Sequence, residues 1–184
     1  MICILDKDTF SFENTAVTIG KFDALHIGHK ALIGKLVSYK QNGFKTVVLR
    51  LDIPSAGMSV RSESERIAIL DKAGVDIYIR IAFNEKFARM SAEDFIGNIL
   101  VGQLDIRALV VGEDFRYGHE RRGNVEMLAE AGRMYGFEMT TVQKVQINGE
   151  TVSSSNIREL LKNGEQAKAK AMLGDDWQNM VDRC

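Results

Sequence analysis

The chain has 184 residues, of which 45% are hydrophobic and 27% are charged, and its formal net charge is −1. This length and composition suit one domain with a substantial core and argue against disorder and repeat architectures. The near-neutral charge gives no general electrostatic attraction to nucleic acid or to an anionic membrane, so neither partner is predicted. No targeting or membrane-spanning segment is visible, and Cys3 and Cys184 have no paired spacing. We therefore expect a single cytoplasmic domain over residues 1–184.

The first strand-like run, Ala16–Ile19, leads into a segment with apolar residues at helical spacing. His26 and His29 fall at the predicted start of that helix, where free backbone N–H groups and the helix dipole favour an anion. Gly28 has no Cβ, so a ligand could approach the backbone closely. His26-x-Gly28-His29 thus predicts a phosphate site, but a metal pair with Asp23 or two structural histidines fit these residues equally well.

Strand-like and helix-like segments alternate along the rest of the chain, which predicts an α/β fold with a parallel sheet covered by helices on both faces. The strands are predicted at Thr46–Leu51, Val75–Ala82, Ala108–Val111 and Phe137–Val142. The helices are predicted from Ser62 to Ala73 with a Ser62/Glu65 capping box, from Ser91 to about Leu100, from Val125 through Met127, Leu128, Ala131 and Met134 to Gly136, and from near Ser153.

Two long loops are predicted, at Asp52–Arg61 and at Gly112–Gly123. Open α/β sheets bind ligands at the carboxyl ends of their strands, which is where the second loop should lie. That loop also contains a basic cluster, which is either a solvated surface or a phosphate contact, formed by Arg116, His119, Arg121 and Arg122.

Neither a Gly-x-Gly-x-x-Gly sequence nor a Walker A sequence is present, so a triphosphate would have to be held in another way. The segment Ser153-Ser-Ser-Asn-Ile-Arg158 offers three hydroxyls at a predicted helix start and an arginine one turn later. The hydroxyls could cap the helix or donate to phosphate oxygens, and the guanidinium is suited to phosphate.

Three ordered segments carry a family resemblance: Thr18-Ile-Gly-Lys-Phe-Asp-Ala-Leu-His-Ile-Gly-His29, Val111-Gly-Glu-Asp-Phe-Arg-Tyr-Gly118 with Arg122-Gly-Asn124, and Val152-Ser-Ser-Ser-Asn-Ile-Arg-Glu-Leu-Leu161. They resemble the motifs of the bacterial FAD synthetases, the adenylyltransferase half of the bifunctional riboflavin kinase/FMN adenylyltransferase. The resemblance covers about residues 15–174, and the riboflavin kinase half is expected to be absent.

The resemblance implies a Rossmann-like nucleotidyltransferase fold of the HIGH superfamily. It also implies that ATP and FMN are the substrates, that FAD and pyrophosphate are the products, and that Mg²⁺ is held through the substrate phosphates. The implied catalytic residues are His26, His29 and Arg158. The implied ATP-binding residues are Gly20, Lys21, Phe22, Asp23, Gly28, Ser154 and Ser155. The residues implied on the FMN or adenine side are Gly112, Asp114 and Phe115.

The chain departs from the family pattern at Ala24, where glycine is usual, and at Ser155, where threonine is frequent. It also has Leu49-Arg-Leu-Asp-Ile-Pro54 where members carry Thr-Phe-x-Pro-His-Pro. Two alternatives therefore stay beside FMN adenylylation: transfer to another phosphate acceptor, and nucleotide or flavin binding with little turnover. An aminoacyl-tRNA synthetase is not predicted, because the chain is short and lacks a Lys-Met-Ser-Lys-Ser motif.

Overall fold

The computed structural model of the chain describes residues 1–7, 9–53 and 59–174. Pro54, Cys184 and residues 54–58 of the predicted Asp52–Arg61 loop lie outside the described residues. The strands are β1 Ile2–Leu5, β2 Thr15–Gly20, β3 Lys45–Asp52, β4 Ile77–Ala82, β5 Ile106–Gly112, β6 Glu138–Val142, β7 Gln146–Ile147 and β8 Glu150–Thr151.

The helices are α1 Ile27–Ser38, α2 Glu63–Lys72, α3 Glu85–Ala88, α4 Ala92–Asp94, α5 Val125–Tyr135, α6 Ser154–Lys162 and α7 Gln166–Leu173. Those other than α7 begin at residues whose side chains cap them. The predicted capping box is present at the start of α2, where Ser62 and Glu65 bond each other's backbone N–H groups. Gly136 ends α5 in the left-handed conformation, as predicted.

In the described part of the chain, six parallel strands form one sheet in the order β1-β4-β3-β2-β5-β6. One face packs against α4, the π-helix Phe95–Val101 that continues it, and α5. The other face packs against α1 and α2. The predicted α/β fold with helices on both faces is confirmed. The strand order reverses between β2 and β5, so their carboxyl ends, Gly20 and Gly112, flank the crevice where such folds bind ligands.

The structure differs locally from the sequence predictions. The edge strand β1 was not predicted, because Ile2–Leu5 is too short to show a period. The helix from Ser91 changes to a π-helix after Asp94, which propensity does not encode. Met134 does not belong to the apolar face of α5, since 71% of it is exposed and it lies on the side away from Leu128. None of the described helices is long and apolar enough to cross a membrane.

Two buried threonines in β2 provide a matched test of the core. Thr15 Oγ1 donates to the Leu104 carbonyl at 2.6 Å, whereas Thr18 Oγ1 has no hydrogen-bond partner within the described residues. Thr18→Val should therefore raise the free energy of unfolding by up to about 1 kcal/mol, and Thr15→Val should lower it by about 1–2 kcal/mol. Urea unfolding of both variants measures the difference. Equal destabilisation by the two substitutions would contradict the prediction.

Candidate active site

The two histidines lie at the N-terminus of α1, beside the crevice between β2 and β5. His26 is the N-cap residue, and its Nδ1 accepts a hydrogen bond from the His29 backbone N–H at 3.4 Å. The two imidazole rings stack with their centroids 3.8 Å apart. The predicted placement of both rings on one face of the first helical turn is therefore confirmed.

Burial keeps both imidazoles neutral. It lowers the pKa of His26 to about 4, and burial together with the neighbouring His26 lowers the pKa of His29 well below its usual value. Because Nδ1 of His26 accepts the backbone N–H of His29, the proton of neutral His26 resides on Nε2. Nδ1 of His29 is buried and has no hydrogen-bond partner among the residues described. The pair therefore offers neutral N–H donors rather than positive charges.

The neutral pair predicts a loss of stability in mild acid. Between pH 7 and pH 5 an unfolded histidine takes up a proton that folded His26 does not, so stability falls as the pH drops below about 6.5 and levels off near 4. His26 alone should contribute about 2 kcal/mol to the fall between pH 7 and pH 5. His26→Asn keeps a capping oxygen and should lose less stability over this range in urea unfolding. An equal loss in variant and wild type would contradict the assignment.

The loop that joins β2 to α1 is strained and buried. Phe22 and Leu25 both have φ of 48° and are fully buried, and the Phe22 ring lies 5.0 Å from that of His29. The buried Phe22 ring therefore packs against the His29 ring. Ala24 is also fully buried, but its neighbours are apolar residues of α6 and α7, including Ile157 and Met172. The methyl group that replaces the family's glycine thus packs into a core.

Three cavities adjoin this loop. The histidine cavity, about 230 Å³, lies between the start of α1 and the ends of β5 and β6. It is lined by His26, Gly28, His29, Leu32, Gly112, Asp114, Val142, Gln143, Lys144, Val145, Val152 and Ser153. The Asp114 carboxylate pairs with Lys144 Nζ at 2.8 Å. The predicted residues His26, Gly28 and His29 of the first motif therefore line the same cavity as Gly112 and Asp114 of the second motif.

The charged cavity, about 460 Å³, lies at the ends of β2, β3 and β4 and beside α6. It is lined by Lys21, Asp23, Arg50, Leu51, Asp52, Ile53, Ser59, Glu63, Arg66, Arg80, Ser154, Ser155 and Arg158. At the start of α6, Ser153 Oγ accepts the Asn156 N–H and caps the helix. Ser154 and Ser155 are left to line the cavity, and Arg158 Nη2 donates to Ser155 Oγ at 3.3 Å.

Arg66 ties the wall of the charged cavity to the β2–α1 loop. Its guanidinium donates to the Asp23 carbonyl at 3.2 Å, to Ser59 Oγ at 3.0 Å and to Glu63 Oε2 at 3.1 Å, and it also donates to the Arg61 carbonyl. The Asp23 carboxylate accepts a short hydrogen bond from Ser59 and lies 3.6 Å from Arg66. Asp23 therefore organises the wall on this side.

The aromatic cavity, about 290 Å³, shares Lys21, Leu51 and Ile53 with the charged cavity. Its other lining residues are Phe83, Phe87, Ala88, Met90, Phe95, Arg116, Tyr117, Gly118, Glu120 and Arg121. Two members of the predicted basic cluster, Arg116 and Arg121, thus border an apolar space. The histidine and charged cavities both adjoin the start of α6, because the consecutive Ser153 and Ser154 line one each.

The structure brings most of the predicted site residues to these cavities. The predicted residues that do not line these three cavities are Gly20, Phe22 and Phe115. Gly20 ends β2 beside Phe22. Phe115 stacks on Tyr117 with centroids 5.8 Å apart and packs against the core. Sequence reasoning missed Arg50, although a charged residue inside an apolar strand was a usable signal. It also missed Arg66, Glu63 and the aromatic cavity. Within the described ranges no group of three His, Cys, Asp or Glu residues could hold a metal. The alternative in which His26 and His29 bind a metal together with Asp23 is therefore wrong for this structure.

The fold and the site define an α/β protein with a ligand crevice at a strand-order reversal and an imidazole pair at a helix start. Residues 9–156 match the family model described as FAD synthetase. The chain belongs to the FAD synthetase family.

Bifunctional riboflavin kinase/FMN adenylyltransferases are among its relatives. Those of Buchnera aphidicola subsp. Schizaphis graminum and of Escherichia coli K12 are each 33% identical over 171 residues, which is 88% of this chain and 55% of the relative. That of Pseudomonas fluorescens is 32% identical over 165 residues, which is 85% of this chain and 53% of the relative. The chain thus spans about half the length of the curated relatives it matches.

A solved structure titled as a macrolide-efflux protein from Streptococcus pneumoniae has a similar fold. Its TM-score to this chain is 0.83 at 22% identity, and the similarity covers 95% of this chain and 70% of that one. At this identity the likeness concerns the fold alone.

Proposed function

We propose that the protein transfers AMP from ATP to FMN, which yields FAD and pyrophosphate. The observation that carries this proposal is the presence of three cavities with complementary chemistry beside the β2–α1 loop: one with neutral imidazoles, one with cations and serines, and one lined by aromatic rings. ATP would lie across the histidine and charged cavities, and the flavin ring would lie in the aromatic cavity. Family membership supports the same activity.

In the proposed reaction, a phosphate oxygen of FMN attacks the α-phosphorus of ATP, and the bond from that phosphorus to the β-phosphate oxygen breaks. Pyrophosphate leaves with the electron pair of that bond. The attacking oxygen is already anionic, so no protein nucleophile or strong base is needed. Catalysis then rests on positioning and on charge stabilisation by His26 and His29 at the α-phosphate and by Ser154, Ser155 and Arg158 at the leaving group.

We propose that Mg²⁺ binds together with the substrate phosphates. It commonly binds through one or two carboxylates, water and phosphate oxygens. The described residues fit that mode, because Asp23 and Asp52 are carboxylates of the charged cavity. When bound, the ion would neutralise phosphate charge. The cytoplasm stays the predicted compartment, and residues 1–184 stay a predicted single domain.

A second candidate is adenylyl transfer to another phosphate-bearing acceptor. The observation that favours it is that residues 50–53 line the charged cavity and include a charged pair, Arg50 and Asp52, within the segment that departs from the family pattern. The aromatic cavity favours FMN over an acceptor without a ring system.

Incubation with ATP, FMN and Mg²⁺ tests the proposal, with FAD and pyrophosphate measured separately. We expect both products in equal amounts. Pyrophosphate with other phosphorylated acceptors but no FAD would favour the second candidate. Thermal stabilisation by ATP or FMN without any pyrophosphate would indicate a binding protein and overturn both.

A further inference from the structure

Arg50 is a buried cation in the wall of the charged cavity, at the third position from the end of β3. The residue is only 8% exposed. Its Nε donates to the Lys21 carbonyl at 3.1 Å, and its Nη2 donates to Asp52 Oδ1 at 2.7 Å. These two bonds fix the plane of the guanidinium at the junction of the charged and aromatic cavities, since Lys21 borders both.

The third nitrogen of Arg50, Nη1, accounts for the donor capacity that the described residues leave open. Nη1 is buried and makes no hydrogen bond within the described residues, and it lies 3.5 Å from Glu63 Oε2. A buried N–H group without an acceptor is costly, and native proteins rarely retain one without a reason. A cation that is held rigidly and still has spare donor capacity is suited to an anionic ligand.

The charges around Arg50 also favour an anion. The Glu63 carboxylate near Arg50 already accepts hydrogen bonds from two other residues. Its Oε1 accepts from Tyr78 at 2.8 Å, and its Oε2 accepts from Arg66. Over the described lining of the charged cavity, the cationic side chains outnumber the acidic ones. The cations are Lys21, Arg50, Arg66, Arg80 and Arg158, and the acids are Asp23, Asp52 and Glu63. A concave wall with this excess concentrates anions.

We propose that Arg50 is a phosphate-binding residue of this site. A planar guanidinium with several donors matches the geometry of phosphate oxygens. This inference rests on the proposed function, in which the phosphate group could belong to either of two molecules: the pyrophosphate that leaves ATP, or FMN. Arg50 borders the cavity that contains Ser154 and Ser155 and lies next to the aromatic cavity, so either source can reach it.

Calorimetric binding of three probes separates the two sources. Inorganic pyrophosphate represents the leaving group, and FMN compared with riboflavin isolates the contribution of the acceptor phosphate. Arg50→Met removes the guanidinium at similar length. Arg107→Met is the matched control, because Arg107 pairs with Asp105 at the opposite end of β5. We expect at least about a tenfold loss of affinity for pyrophosphate or for FMN in Arg50→Met, and unchanged affinity for riboflavin.

A loss for pyrophosphate alone assigns Arg50 to the leaving group, and a loss for FMN but not riboflavin assigns it to the acceptor. Unchanged affinity for both phosphate-bearing probes in folded Arg50→Met, or equal losses in Arg107→Met, would overturn the inference. So would a wild type that binds neither pyrophosphate nor FMN. If circular dichroism shows that Arg50→Met is unfolded, Arg50→Gln, which keeps one amide donor, is judged by the same criteria.

The FAD assay distinguishes this inference from the proposed function. FAD formation by the wild type, together with unchanged phosphate binding in Arg50→Met, removes only the role of Arg50. Phosphate binding that depends on Arg50, without FAD formation by the wild type, removes only the assignment of FMN as acceptor and ATP as donor.

Discussion

Replacing His29 by alanine should lower the turnover of adenylyl transfer by about 100-fold or more, because a preorganised donor at the α-phosphate is lost. The stacked, neutral pair formed with His26 suits the proposed role, because the Phe22 ring packs near the His29 ring and both imidazoles line the histidine cavity. The KM for ATP should change much less than kcat, because the donor acts on charge that develops in the transition state. Initial rates of FAD formation measure both constants.

His119→Gln is the matched control for loss of an imidazole. His119 is exposed, and its ring bonds the Ala88 carbonyl beside the aromatic cavity and away from the histidine cavity, so turnover at saturating FMN should stay within about twofold of wild type. Turnover of His29→Ala that equals the control, with the fold intact by circular dichroism, would remove His29 from the mechanism.

Arg66→Met should lower the free energy of unfolding by about 3–5 kcal/mol, since breaking a buried ion pair leaves its partners uncompensated. Arg66 is 4% exposed, and its loss would remove one donor each from the carbonyls of Asp23 and Arg61 and from Glu63 Oε2. Activity should fall as well, because these groups form the wall of the charged cavity. Urea unfolding gives the stability, and FAD formation at a temperature where the variant is folded gives the activity.

Two further variants sharpen the interpretation. Arg66→Lys keeps the charge but cannot donate in several directions at once, so it should recover only part of the lost stability. Arg89→Met removes an arginine from an exposed pair with Glu85 and should cost less than about 1 kcal/mol. A similar loss of stability in Arg66→Met and Arg89→Met would show that the buried network does not hold the wall.

The sequence predicted those parts of the structure that depend on local patterns. Alternating strands and helices followed from apolar periodicity, and the start of α2 followed from Ser62 and Glu65, whose capping bonds are local. The placement of His26 and His29 at the start of α1 was predictable for the same reason. Their roles in catalysis stay predictions, because a fold places side chains without showing what they bind.

The network around the charged cavity could not be predicted from local patterns. Arg66 lies on a helix whose sequence is largely polar, and its burial depends on Asp23, which is 43 positions earlier in the chain. Phe87 and Phe95 lie in separate helices, and only the tertiary arrangement leaves a cavity beside them. Such features arise where separate elements meet, and no periodicity within one element encodes them.

The packing of α6 and α7 against the loop before α1 has a consequence for how this domain can be divided or transplanted. The family match ends at residue 156, yet Ala24 is buried against side chains from α6 and α7, and the Gly174 backbone lies against Ile27. A fragment cut at residue 156 would expose that apolar surface directly behind the histidines and would lose Arg158. The packing around the candidate active site therefore extends through α7, and modular exchange between relatives should place its junction after Gly174.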